Sequence, residues 1–237
     1  MKGYLIIFLL LFFVQLLPAQ NHQEVKRFFG KSYPEVLQYL RANKATLKQQ
    51  LPANSQEAAF ILAIGFPELL RYRALQNKLE TVFLEALYVK KGPTYANFSV
   101  GRFQMKPSFA ESLERYCQKY LKYRGAKIYQ YKASGINNIR KARVKRLNNF
   151  TWQLKYLHSL YLVLNHRFAN KRFASRAQKL RFFAAAYNFG FLSPDNKIQR
   201  WVSSKAFPYG KNYVGKQLGY TSIALDFYLN EGLQLFK

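Results

Sequence analysis

The spacing of apolar residues is what most constrains this chain. Along nearly its whole length they recur at intervals of three and four, and alternating runs bounded by hairpin turns are absent. That periodicity predicts an all-α fold, or nearly so. A chain of 237 residues with 49% hydrophobic content is long enough to bury one substantial core.

Local signals divide the pattern into helices. Ser32-Tyr33-Pro34-Glu35 offers a cap, a proline in the first turn and an acid behind it, which opens a helix running towards Lys48. Asn54-Ser55-Gln56-Glu57 repeats that logic ahead of Ala58-Ala59-Phe60-Ile61-Leu62-Ala63-Ile64, whose near-continuous apolarity predicts burial on most sides. Pro67 lacks an amide hydrogen and crowds the preceding turn, so it is expected to kink or end that helix just before Glu68.

Leu75, Leu79, Val82, Phe83, Ala86 and Leu87 draw an amphipathic stripe that stops at Lys91-Gly92-Pro93, and Pro107 starts the next helix. Residues 122–146 are basic, show no clear stripe, and read as a loop or irregular insertion. A long helix follows from Leu147 to Phe168. Ser175 caps another that ends at Tyr187-Asn188 and Gly190, and Asp195 and Thr221 are candidate caps for two last helices.

Residues 5–17 form an apolar run behind Lys2 and end at Leu17-Pro18-Ala19-Gln20, the pattern of a secretory signal peptide over 1–19. An N-terminal helical segment over 20–53 and a main domain over 54–237 are then expected. Cys117 is the single cysteine, so no disulfide framework is available. His22, His158 and His166 are scattered and nucleotide-binding glycine loops are absent, so neither metal nor cofactor is expected.

Thirty-eight Lys and Arg stand against 11 acids, a formal charge of +27, and no acid lies between Glu114 and Asp195. The expected partner is anionic. Export directs the chain away from nucleic acid and towards the anionic polymers of a bacterial envelope, in the periplasm or bound to the envelope.

Two short motifs carry the chemistry. The first is Gly101-Arg102-Phe103-Gln104-Met105-Lys106-Pro107, in a loop between helices. The second is Ala185-Ala186-Tyr187-Asn188-Phe189-Gly190, at a helix end. Their order behind an apolar helix carrying Glu68 resembles the lysozyme-like superfamily, specifically the catalytic domain of soluble lytic transglycosylases. The resemblance covers about residues 54–230, with Ile198, Trp201, Phe207-Pro208 and Tyr213-Val214 echoing the family's tail.

The resemblance implies peptidoglycan glycan strands as substrate and a single Glu as general acid and then base. It also implies Gly101, Gln104, Tyr187 and Asn188 as residues of the substrate cleft. A Glu held against apolar walls has its neutral form favoured, raising its pKa towards ~6, so that it can protonate a glycosidic oxygen.

The catalytic position is where this sequence departs from the family, which usually has Glu-Ser closer to the motif glycine. Glu68 is followed by Leu69 and stands further upstream. Glu85 fits the spacing but is followed by Ala86 on an amphipathic helix, and Glu80 is a third candidate. Glu68 is preferred because it follows the buried helix; its bland alternative is a carboxylate paired with Arg71 or Arg73. A glycan-binding domain without activity and an envelope scaffold are the competing readings of the whole chain.

Overall fold

The structure, a computed structural model, describes residues 22–74, 79–122 and 127–237, with the backbone alone for 79–82. The signal peptide expected over 1–19 lies outside the described residues. The fold is all-α: α1 (residues 22–29), α2 (Ser32–Ala42), α3 (Lys44–Gln50), α4 (Ser55–Ala74), α5 (Leu79–Lys91), α6 (Pro107–Tyr120), α7 (Ile136–Leu147), α8 (Phe150–Arg167), α9 (Arg176–Phe189), α10 (Asp195–Trp201), α11 (Tyr220–Phe227) and a last turn α12 (Leu233–Leu235). Extended pairing among the described residues is confined to two isolated bridges, Val100 with Met105 and Phe207 with Leu218.

Helix α4 is the axis of the molecule. Every residue from Ala58 to Leu70 is buried, and α2, α8, α9 and α11 pack around it. A helix apolar on all sides satisfies its hydrophobic surface only at the centre of such an arrangement. Residues from Val25 in α1 to Phe236 at the C-terminal end belong to the same hydrophobic core, so the segment over 22–53 packs as part of this body. Asn54 caps α4, its Oδ1 accepting from the Glu57 amide at 3.0 Å, and Ser175 caps α9 by accepting from the Gln178 amide at 3.1 Å.

Three local expectations are corrected. Pro67 neither ends nor interrupts α4, which continues to Ala74. Phe66 stacks on Phe227 with centroids 3.9 Å apart, and the Tyr220 hydroxyl donates to the Ile64 carbonyl at 3.0 Å, one turn before the proline. Packing against α11 thus accompanies the helix through the residue that would break it in isolation. The caps expected at Ser32, Asp195 and Thr221 do not form: Ser32 and Asp195 are already the first helical residues and make no cap bond, and Thr221 is buried and donates to the Val202 carbonyl at 2.7 Å.

The basic stretch over 122–146 is the third. A 3-10 turn (Lys127–Tyr129) and helix α7 replace the expected loop. Helix α7 has no apolar stripe because it is tied in by a polar network. The Arg143 guanidinium donates to Glu114 at 2.7 to 3.1 Å, to the Tyr88 hydroxyl at 2.6 Å and to Glu111 at 3.0 Å. Tyr131 and Tyr156 donate to the same Glu114 carboxylate. Both members of the central pair are buried, Glu114 at 4% and Arg143 at 6% exposure.

Breaking a buried pair from one side leaves the other charge uncompensated. Glu114→Ala is therefore expected to lower stability by about 3–5 kcal/mol. Urea unfolding of the two proteins checks this; a loss within the scatter of a surface substitution would show that the network does not anchor α7.

Candidate active site

A cavity of about 410 Å³ opens between α4, the loop before α6 and the end of α9; Glu68, Arg71, Gln104, Lys106, Tyr187 and Asn188 are among its lining. Of the residues singled out in the sequence, four therefore meet in one space. Glu85 is not among the lining residues. It sits on α5 and accepts from the Asn148 amide at 2.7 Å, so the candidate that matched the family's spacing is removed from the site by the fold. The Glu80 side chain lies outside the described residues.

Glu68 projects from the buried helix near its C-terminal end and is 5% exposed. Its Oε2 has no hydrogen-bond partner. The nearest cation, Arg71 Nη1, stands 3.6 Å away, one turn along the same helix, which is ion-pair range but beyond a hydrogen bond. Arg73, the other partner considered, goes to Glu35 instead. Burial pushes the Glu68 carboxyl up to about 7, against the pull of Arg71, Asn188 and Lys106 towards the charged form. Desolvation outweighs those partners, and the acid sits where it can hold or release a proton near neutral pH.

The first motif is a tight turn closed by the Val100 and Met105 amides and carbonyls, each pair at 3.0 Å. Gly101 has φ of 67°, and a Cβ there would lie 2.3 Å from the Leu147 carbonyl and 2.5 Å from Gln153 Nε2. Gly101 is not among the lining residues of the cavity. It makes the turn and lets the turn press against α7 and α8.

Gln153 is 1% exposed and clamps the loop from behind, accepting from the Arg102 amide at 3.0 Å and donating to the Val100 carbonyl at 2.9 Å. Gly65 completes the docking. A Cβ at that position would come within 2.7 Å of the Phe103 ring, so only glycine lets Phe103 lie against α4. Gly65 and Glu68 are three residues apart and share a helix face. Seating Phe103 on one brings Gln104 to the other.

Gln104 itself has φ of 50°, a strained value for a non-glycine residue, and its Nε2 donates to the Gly101 carbonyl at 2.9 Å. Its side-chain carbonyl is left to accept from a ligand.

The second motif closes the cavity from α9. Ala184, Ala185 and Ala186 are fully buried, and the small side chains let this helix end approach the core before Tyr187 and Asn188 emerge. The Tyr187 hydroxyl donates to the Phe103 carbonyl at 2.6 Å, a direct bond between the two motifs. Burial, with the Glu68 charge as a second cause, holds that hydroxyl well above its ordinary pKa, so it stays a donor.

Trp201 on α10 donates its indole N–H to Asn188 Oδ1 at 2.8 Å, which leaves the amide NH2 of Asn188 for the carboxyl beside it. Sequence reasoning gave no role to Gln153, Gly65 or Tyr220. Arg71 entered only as a neutralising partner, and Trp201 only as an echo of the family's tail.

Comparison with known protein families, with curated proteins and with solved structures finds no match.

Burial of Glu68 has a thermodynamic consequence with a definite sign. Below its ordinary value of 4.5 the carboxyl is protonated in both folded and unfolded chains. As pH rises from 4.5 to about 7, the unfolded chain releases a proton that the folded one keeps, so stability falls across that window and levels off above it. Glu68→Gln lacks this penalty. The variant is expected to exceed the wild type by on the order of 2–3 kcal/mol at about pH 8 and to match it at about pH 4. Thermal unfolding at the two pH values tests the difference; a gap independent of pH would mean that the carboxyl is not held neutral.

Proposed function

We propose that this protein is an exported glycosidase that cleaves the glycan strands of peptidoglycan. In this reading it is a lytic transglycosylase that breaks the β-1,4 bond between N-acetylmuramic acid and N-acetylglucosamine. The observation that carries the reading is chemical economy: among the described residues, Glu68 is the sole carboxylate lining the cavity. Hydrolases that retain or invert configuration ordinarily pair two carboxylates across the bond they break. With one acid, the second function must come from the sugar.

In that scheme the neutral Glu68 carboxyl protonates the glycosidic oxygen, the C1–O bond breaks, and positive charge develops at C1 of the muramoyl ring. The 2-N-acetyl carbonyl of that same ring stabilises C1. Glu68, now a carboxylate, removes the proton of the C6 hydroxyl, whose oxygen closes on C1 to give a 1,6-anhydromuramoyl end. Gln104 and Asn188 supply polar contacts to the sugar, and Tyr187 holds the Phe103 backbone so that the loop keeps its distance from the acid. The signal peptide read at 1–19 and the formal charge of +27 agree with an anionic envelope substrate. No cofactor or metal enters the scheme.

Purified protein incubated with peptidoglycan is expected to release anhydromuramoyl fragments, identified by mass. Glu68→Gln should lose about 10²–10⁴-fold in rate, the usual worth of a positioned acid–base group, while Glu85→Gln stays near wild type. Because the first step needs the protonated acid, the wild-type rate should fall above pH 7 or so. Undiminished cleavage by the Glu68 variant would overturn the assignment. Binding of glycan without cleavage by the wild type would favour the inactive, glycan-binding reading, in which Arg71 at 3.6 Å neutralises the carboxylate.

A further inference from the structure

A second cavity, of about 860 Å³, shares no lining residue with the Glu68 site. It is formed by the chain over 127–132, the end of α7 and the outer face of α8, and Lys127, Lys132, Arg146 and Lys155 line it with no carboxylate among them. Most charged stretches are solvated faces, and charge alone would assign this one nothing. The built part is the guanidinium of Arg146. Its carbon stands 3.8 Å from the centroid of the Tyr131 ring and 3.9 Å from that of Trp152, and its two terminal nitrogens donate to the Ile128 and Gln130 carbonyls. A side chain with large rotamer freedom is here fixed in a recess, with N–H groups left over from the five that arginine carries.

We infer that this recess is a phosphate-binding site for a base-free phosphodiester polymer, such as a polyol phosphate chain. A fixed guanidinium at the end of α7, two lysines on the 127–132 segment and one on α8 suit a charge-dense oxyanion with acceptors on several sides. The recessed shape suits a chain that enters the cavity over a flat membrane surface. Nucleic acid is disfavoured because the aromatic rings already hold cations: Arg146 and Lys155 stand 3.9 and 4.6 Å from the Trp152 centroid, where a base would need an open face. The assignment is independent of the catalytic reading of Glu68. Its role would be to hold the protein on its polymer while the other site works or rests.

The test is titration calorimetry of the protein with poly(glycerol phosphate). The variant Lys127→Gln/Lys132→Gln/Lys155→Gln is compared with Lys48→Gln/Lys90→Gln/Lys205→Gln, which removes the same charge from exposed positions elsewhere. The site variant should bind about tenfold or more weakly, and the control within about twofold of wild type. All six positions are exposed, and unchanged melting temperatures confirm that both variants fold. Equal losses in the two variants would overturn the proposal in favour of diffuse charge. Tighter binding of duplex DNA or of anionic lipid vesicles through the same three lysines would overturn the choice of ligand.

Discussion

A carboxylic acid buried in the central helix is the constraint on which the rest of this molecule turns. Glu68 sits at 5% exposure, and the partners near it, Arg71 at 3.6 Å first among them, fall short of offsetting its desolvation. A fold selected only for stability would place an apolar residue there or give the carboxylate good hydrogen bonds. The surrounding helices, packed tightly on α4, keep water from one side of the acid, and the cavity leaves the other side open to a ligand.

The walls of that cavity are held by bonds between elements distant in sequence. Gln153 grips the first motif from α8, Gly65 admits Phe103 to the surface of α4, and the Tyr187 hydroxyl reaches the Phe103 carbonyl from α9. Each contact fixes the loop against a different helix. Together they hold Gln104, with its φ of 50°, on a rigid support. Trp201 does the same for Asn188 by occupying the amide oxygen.

Much of this was legible from sequence because it depends on local pattern. The near-continuous apolar run of α4, the turn glycine and the Ala-Ala run before Tyr187 each reflect a backbone or packing requirement of a few adjacent residues. Glu68, Gln104, Tyr187 and Asn188 converge accordingly. What sequence reading missed is non-local. Helix α7 looks like a basic loop because its anchor, Arg143, finds its acid on α6. Pro67 looks like a helix end because the Tyr220 hydroxyl and the Phe227 ring that steady it come from α11, far along the chain. The spacing of Glu85 takes no account of where α5 lies, and the packing of Gly101 against the Leu147 carbonyl depends on α7, distant in sequence.

Burial favours the neutral form of Glu68 beside a cavity of about 410 Å³, and the most direct measurement is the titration of that carboxyl. Carbon-13 NMR of the glutamate side-chain carboxyls, with the Glu68 signal assigned from Glu68→Gln, should give a midpoint of about 7 and a shift in that signal when an N-acetylglucosamine oligomer is added. A midpoint at the ordinary 4.5, with no response to the oligomer, would contradict both the electrostatics and the site.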